Sequence, residues 1–555
     1  MEESEKRNLR IIPLGGLGEI GLNMTAFEFG GKILLVDCGL MFPKDYMLGV
    51  DIVIPDFTFI EDRQDDILAL IITHGHEDHI GAIPYLFKKM KFPLYGSDLS
   101  LALIREKLEE HKISGVSYHA ISSDRTLAIG EFRLEFIRVC HSIMDGYALG
   151  ITTPAGTVVH TGDFKLDFDA SSEHATDIRA LAKLGERGVL CLMSDSTNVE
   201  QIGYTLTEDE IGKALDEVFR DAGGRIIITL FASNVARIQQ VFQIAENYGR
   251  KVVINGRSMI STVRIARRLG YLKVSDAQIL DIKDLPSTSR RRVVILTTGS
   301  QGEPMSALTR IAMGNHNQIQ VVEGDTVLLS SKFIPGNEGA ISNLINELFK
   351  QGAQVVYETI SQIHTSGHAH REELKLMLKL IRPKYFIPIH GELRHLVQHA
   401  YLARDMGVKP ENCILAKNGE VVQFTPDRAG IVDTVMTGRV FVDGKGVGDV
   451  SHMILTDRRL LSESGVVVCS IAYREEDGEL VAGPEIQSRG CLYEPESPEL
   501  LAEALEVARE SFERLRRENL LRTPEGTDQF ARDVRRLFNK RIQRRPIVIP
   551  VFIPV

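Results

Sequence analysis

The sequence predicts a soluble α/β protein built from several domains. Three observations lead there. Strand-length apolar runs recur and repeatedly end in a polar residue, as at the carboxyl edge of an α/β sheet. Amphipathic helical stretches alternate with such runs through the middle of the chain. The chain has 555 residues, more than one hydrophobic core accommodates.

The first pattern is "LRIIPLGGLGEIGLNMTAFEFGGKILLVDCG". It contains a formal G-x-G-x-x-G with Asp37 at a distance suited to a ribose contact, the outline of a dinucleotide site. Such a site needs a helix after the last glycine. Here "MTAFEFGGKILLVD" alternates like two strands joined at Gly30–Gly31, so the glycines are expected to form a tight loop beside some other site.

"ILALII" then reads as a strand and "IGAIPYLFKKM" as an amphipathic helix. "FRLEFIRVCH" alternates and ends in His141, "GTVVHTGDF" ends near Asp163, and "GVLCLMSDST" delivers Asp195. From about Thr205 to Thr365 helices ("EDEIGKALDEVFRDAG", "SNVARIQQVFQIAENYG") alternate with strands ("RIIITLF", "KVVING", "RRVVILTTG", "DTVLLSS"), the pattern of a second, parallel α/β domain. "REELKLMLKLIRPKYFIPIHGE" gives a helix, a strand and His390. The Gly/Asp-rich "GRVFVDGKGVGD" reads as a linker, and the last ~90 residues as a small α+β unit whose proline-bearing tail suits an edge strand.

Composition sets the remaining bounds. Hydrophobic residues make up 43% and charged residues 25%, the balance of a globular protein. No apolar run approaches the ~20 residues that cross a bilayer, and "MEESEKRNLR" lacks a signal-peptide core, so a cytoplasmic protein without membrane contact is expected. The six cysteines stand apart with no C-x-x-C pair, which points to buried reduced thiols. A net charge of −10 argues against non-specific coating of nucleic acid. It leaves room for a nucleic-acid enzyme whose bound cations reverse the local field.

The densest chemistry is "HGHEDH", residues 74–79, immediately after a strand. In an extended loop residues two apart share a side, so His74 and His76 can grip one ion while Asp78 and His79 face a second. Imidazoles with a few carboxylates form a ligand set for Zn²⁺ or Mn²⁺. The missing ligands are sought at other strand ends, where His141, Asp163 and His390 lie; Asp37 is placed to orient the turn and His160 to pack beside it.

H-x-H-x-D-H followed by a later His, Asp and His resembles the metallo-β-lactamase superfamily, which implies an αββα sandwich holding two metals. Histidine at position 76, where the di-iron relatives usually carry an acid, favours hydrolytic zinc. The long stretch between Asp195 and His390 resembles the β-CASP insertion of nucleic-acid-processing members: Asp195 matches motif A, His368 motif B and His390 motif C. "FASNVAR", "GRSM", "TGSQGEPMSAL", "IPGNE" and "GGLGEIG" resemble the bacterial ribonuclease J family along essentially the whole chain. The resemblance implies domains at 1–205 and 370–430 (sandwich), 206–369 (β-CASP) and 461–555 (C-terminal), with 431–460 as linker.

It further implies two Zn²⁺ ions, with Mn²⁺ or Mg²⁺ as substitutes. His74, His76 and His141 would hold one, Asp78, His79 and His390 the other, and Asp163 would bridge. Asp195 and His368 would assist proton transfer and the scissile phosphate. Ser233, Asn234 and Val235 at a helix start, with His364, Thr365, Ser366, Gly367 and His368, would contact phosphates of single-stranded RNA. Gly49, Asp51 and Asp443 form a candidate structural Ca²⁺ site. The expected activity is 5′→3′ exonuclease action on 5′-monophosphate RNA plus internal cutting, by a homodimer or homotetramer that associates with other RNA-decay proteins. A DNA-directed nuclease or a small-molecule hydrolase of the same fold is the alternative.

Overall fold

The computed structural model describes residues 7–167, 175–299, 306–330, 337–357, 365–444, 446–492 and 497–555. The chain divides into two units, 1–42 with 53–440, and 43–52 with 441–555.

In the first unit two sheets share one core. The larger has eight strands, in the order 429–434, 420–424, 9–15, 24–29, 32–36, 67–71, 94–96 and 118–120; the smaller has six, in the order 385–389, 191–195, 156–160, 146–153, 132–139 and 126–129. Phe27, Leu34 and Ile71 of the first meet Phe136, Leu149 and Met193 of the second. Successive strand residues serve opposite layers, because side chains alternate across a sheet. Thus Val158 faces this shared core, while Val159 packs with Leu181, Met377 and Ala400 of the helices Ile178–Arg187, Arg371–Ile381 and Leu393–Asp405. The helix Asp98–Glu110 lies against the strands Leu94–Gly96 and Tyr118–Ala120 of the larger sheet. The result is a helix–sheet–sheet–helix sandwich. Gly30 and Gly31, at φ 63° and 76°, turn the hairpin that pairs Phe29 with Lys32.

Between the two parts of the sandwich sits a five-stranded, wholly parallel sheet, ordered 251–254, 293–297, 226–229, 326–329 and 354–356. Apolar residues cover both of its faces, as right-handed crossovers require. One of these cores also takes in Leu99, Ile143 and Met144 of the sandwich.

In the second unit the strand Val466–Tyr473 lies between Leu480–Arg489 and Ile547–Pro554, with the helices Pro498–Arg517 and Pro524–Ile542 packed on one face. The proline-bearing tail is an edge strand, as its sequence suggests. The stretch 431–460, read as a linker, carries the end of the strand Ala429–Thr434, the strand Arg439–Asp443 and most of the helix His452–Ser464. Residues 431–434 are exposed, and in Arg439–Asp443 the buried residues are the adjacent Phe441 and Val442, so neither strand shows alternation. All six cysteines are buried and free. Among the described residues no helix is long and apolar enough to cross a membrane.

Candidate metal centre

Parallel pairing brings the polar residues to one edge. In the smaller sheet Met193 stands beside His160 and Asp195 beside Ile389, so Asp163, Asp195 and His390 leave three adjacent strands at the same end. In the larger sheet Val36 pairs with Ile71, so Asp37 emerges next to Thr73 and the "HGHEDH" turn. His390 and Asp37 both take left-handed φ values, 51° and 58°, a conformation that non-glycine residues adopt at a cost of order 1–3 kcal/mol and chiefly at functional sites.

Asp37 organises the turn. One carboxylate oxygen accepts the Thr73 amide and the other the Thr73 hydroxyl, each at 2.8 Å; the latter also takes the His79 Nδ1 proton at 2.8 Å. The glycine-rich loop lies beneath. Both the Asn23 amide (3.1 Å) and its side chain (3.0 Å) donate to the Asp78 carbonyl, and Leu17 and Gly18 pair with Gly391 and Glu392 just after His390. The loop therefore braces two turns that carry candidate ligands. Gly39 has no alternative there: a Cβ would lie 1.5 Å from the Asp78 carbonyl oxygen. His141 is fixed from the far side, its Nδ1 donating to the Gly367 carbonyl at 2.6 Å.

The inward atoms fall into two sets. His74 Nε2 and His141 Nε2 each stand 3.1 Å from His76 Nδ1. His390 Nε2 is 3.2 Å from Asp78 Oδ2 and 3.3 Å from Asp163 Oδ2, which is 3.2 Å from His79 Nε2. The same Asp163 oxygen lies 3.8 Å from both His74 and His141, between the sets. A four-coordinate zinc with bonds of 2.0–2.1 Å spaces its ligand atoms ~3.3 Å apart. The donors lie near that spacing, so the residues present fit a divalent metal ion.

The sets differ electrically. Burial and neighbouring imidazoles hold His74 and His141 well below the ordinary histidine range, and burial takes His76 down to about 4. In the other set burial also opposes charge, yet the facing carboxylates of Asp163, Asp78 and Asp195 push His390 up to about 9, and Asp163, Asp78 and Asp37 raise His79. Burial disfavours charge on Asp163, but His390 and His79 hold its carboxyl well below the usual range. At the rim, His368 Nδ1 meets Asp195 Oδ2 at 2.8 Å. Burial opposes its charge too, and Asp195 outweighs burial and raises its pKa.

The expected phosphate contacts are placed differently. Asn234 caps the helix Val235–Asn247 by accepting the Arg237 amide at 3.0 Å, Val235 is buried, and Ser233–Val235 share no hydrogen bond with the cluster. The Thr365 hydroxyl donates to the Leu206 carbonyl, and Ser366 accepts from Asn198 and from the His368 amide. His364, most of "TGSQGEPMSAL" and the first residues of "IPGNE" lie outside the described residues. His160 packs edge-on against Phe27.

In the second unit Gly49 and Asp443 both lie against the guanidinium of Arg458. It donates to Asp443 at 2.5 Å and to the Leu48 carbonyl at 2.9 Å, in space that a Cβ on Gly49 would invade at 2.6 Å. Asp51 accepts the Gly444 amide at 2.7 Å.

Sequence reading passed over Thr73 and Thr197. Each follows a strand and precedes or succeeds a named ligand closely, in "IITHGH" and "SDSTN", the only signal available.

Four family models match segments of the chain: "Metallo-beta-lactamase superfamily" over 18–175, "Ribonuclease J, beta-CASP domain" over 223–348, "Zn-dependent metallo-hydrolase RNA specificity domain" over 352–415 and "Ribonuclease J C-terminal domain" over 453–555. Ribonuclease J2 of Bacillus subtilis is 38% identical over 556 residues, all of both chains. Ribonuclease J 1 of Streptococcus pyogenes is 41% identical, over 98% of this chain and 97% of its own. Ribonuclease J of Mycobacterium tuberculosis is 41% identical over 99% and 97%. A crystal structure of a protein of unknown function from Enterococcus faecalis aligns with 75% of this chain and all of its own at a TM-score of 0.52 and 15% identity, which bears on the fold alone. With its sandwich, its inserted parallel sheet and its clustered ligands in place, the chain belongs to the ribonuclease J family of the metallo-β-lactamase superfamily.

Proposed function

We propose that this metal-dependent ribonuclease is a two-metal phosphodiesterase of single-stranded RNA. It removes nucleotides 5′→3′ from 5′-monophosphate ends and also cuts internally, in rRNA maturation and mRNA decay. The observation that carries the reading is the grouping of His74, His76 and His141 beside Asp78, His79, Asp163 and His390, with Asp163 Oδ2 3.8 Å from both His74 and His141.

When bound, the ions supply Lewis acidity, lowering the pKa of water and neutralising charge on the phosphate. Zn²⁺ suits the histidine-rich donors best, with Mn²⁺ or Mg²⁺ as substitutes. The protein's own residues do the rest. His74, His76 and His141 would hold one ion and Asp78, His79 and His390 the other, with Asp163 available to both. Asp195 takes the Nδ1 proton of His368 and so aims the opposite nitrogen outward. From there it donates to the scissile phosphate or the departing oxygen. His368 suits that task because its side chain is 21% exposed, whereas those of His74, His79, His141 and His390 are 1–2% exposed. The start of the helix Val235–Asn247 and residues 365–368, with His364 before them, hold substrate phosphates.

The rest of the reading is cytoplasmic work as a homodimer or homotetramer, in association with other RNA-decay proteins. An open apolar face in the second unit favours assembly: Val468 pairs with Ile549, and Ile549, Val551 and Ile553 are 45%, 37% and 44% exposed. At the candidate calcium site, Arg458 serves as the resident cation.

The deciding experiment supplies one labelled RNA with a 5′-monophosphate or a 5′-triphosphate, with and without chelator. Mononucleotides should appear only from the monophosphate form and only without chelator. Equal release from a matched DNA, or chelator-resistant cleavage, would overturn the reading.

A further inference from the structure

Behind His390 the structure shows a contact that the named ligands do not explain. Thr197 Oγ1 lies 2.7 Å from His390 Nδ1, 2.8 Å from Asp195 Oδ1 and 3.1 Å from the His390 carbonyl. A hydroxyl has one hydrogen to give. Asp195 Oδ1 and the His390 carbonyl can only accept, so the hydroxyl proton goes to one of them, the carboxylate being nearer and charged, and Thr197 accepts the proton on His390 Nδ1. Asp195 itself stands 3.8 Å from His390 Nδ1, beyond hydrogen-bond reach. Thr197 is therefore the sole side chain among the described residues that reaches this nitrogen as an acceptor.

We infer that Thr197 is a positioning residue that selects the tautomer of His390. The inference rests on the two-metal reading. A neutral imidazole carries one proton, and a metal takes the nitrogen without it. By accepting the proton on Nδ1, Thr197 would make Nε2, which faces Asp78 and Asp163, the nitrogen that gives up its proton to an incoming metal. The same hydroxyl occupies one oxygen of Asp195, whose other oxygen holds His368. His390 and His368 are thus oriented through a single carboxylate, one by way of Thr197 and one directly.

A parallel arrangement stands on the other side of the centre. Thr73 Oγ1 donates to Asp37 Oδ2 at 2.8 Å and lies 3.1 Å from His74 Nδ1. There Asp37 also reaches a ligand directly, at His79. On the Thr197 side there is no such direct contact, so removing the hydroxyl leaves His390 Nδ1 with no side-chain acceptor.

The test is zinc calorimetry on chelator-stripped full-length protein, alongside thermal melting of the metal-free chains. Wild type should bind two ions. T197V, which keeps the shape and loses the hydroxyl, should keep one site unchanged and weaken the other about 10–100-fold, and T197S should restore it. In RNA cleavage, added zinc should return the kcat of T197V towards wild type with KM for RNA unchanged. If T197V does not fold, T197A supplies the same removal. Two wild-type affinities in T197V or T197A would overturn the inference while leaving the two-metal reading intact, as would an equal loss in T197S. A wild-type chain that binds a single ion would overturn both.

Discussion

The two halves of the ligand cluster achieve the same spacing by opposite means. Around His76, burial disfavours charge on all three imidazoles, and His141 and His74 are held from behind by the Gly367 carbonyl and the Thr73 hydroxyl. Around His390, carboxylates and charged imidazoles neutralise one another, and the protons stand where a cation would. The first half is a nitrogen cage; the second is an ion-pair network, with Asp195, Thr197 and His368 behind and beside it.

Asp163 is the one place where the comparison collapses, because its Oδ2 faces both halves. Asp163→Asn should abolish binding at both positions and lower RNA cleavage by about 10³-fold or more; metal analysis showing two retained ions would break the assignment. His368→Gln tests the rim instead. Both ions should stay, and cleavage should fall about 10²–10³-fold. A variant that cleaves normally would remove His368 from the chemistry.

Another prediction leaves the metals aside. Glu208, at the start of the inserted domain, accepts from Arg237 at 2.7 Å and Lys165 at 3.3 Å, both with side chains 1% exposed. Glu208→Gln leaves two buried cations short of their counter-charge and should destabilise the first unit by about 3 kcal/mol at neutral pH, read by denaturant unfolding. Although burial opposes it, Arg237 and Lys165 lower the Glu208 pKa from 4.5 to about 2. A lowered carboxyl contributes stability above its unfolded pKa and loses it as pH falls through the folded value. The wild-type advantage over the variant should therefore hold at neutral pH and fade between pH 4.5 and about 2. The smallest effect belongs to the second unit: calcium should leave the melting temperature unchanged, because Arg458 already neutralises Asp443.

The candidate ligands stood out in the sequence because seven histidines and aspartates lie in one turn or at the ends of patterned strands, and the structure brings those side chains together. Strand periodicity likewise foretold the two α/β layers. Thr73 and Thr197 were not legible: hydroxyl residues are common after strands, and each acquires meaning only from a partner on another strand. Arg458 was hidden for the same reason, since nothing near it in sequence announces Asp443, let alone Leu48. Residues 431–460 read as linker because their strands are short and their burial does not alternate.

His141 sits two residues before Ile143, and Ile143 and Met144 belong to the apolar core of the inserted domain. Its imidazole is tied to Gly367, on the chain's return from that domain. A truncation that kept only the sandwich would strip both supports from one corner of the nitrogen cage. Loading of that cage should consequently report whether the insertion has folded, making metal uptake a late event in the maturation of the enzyme.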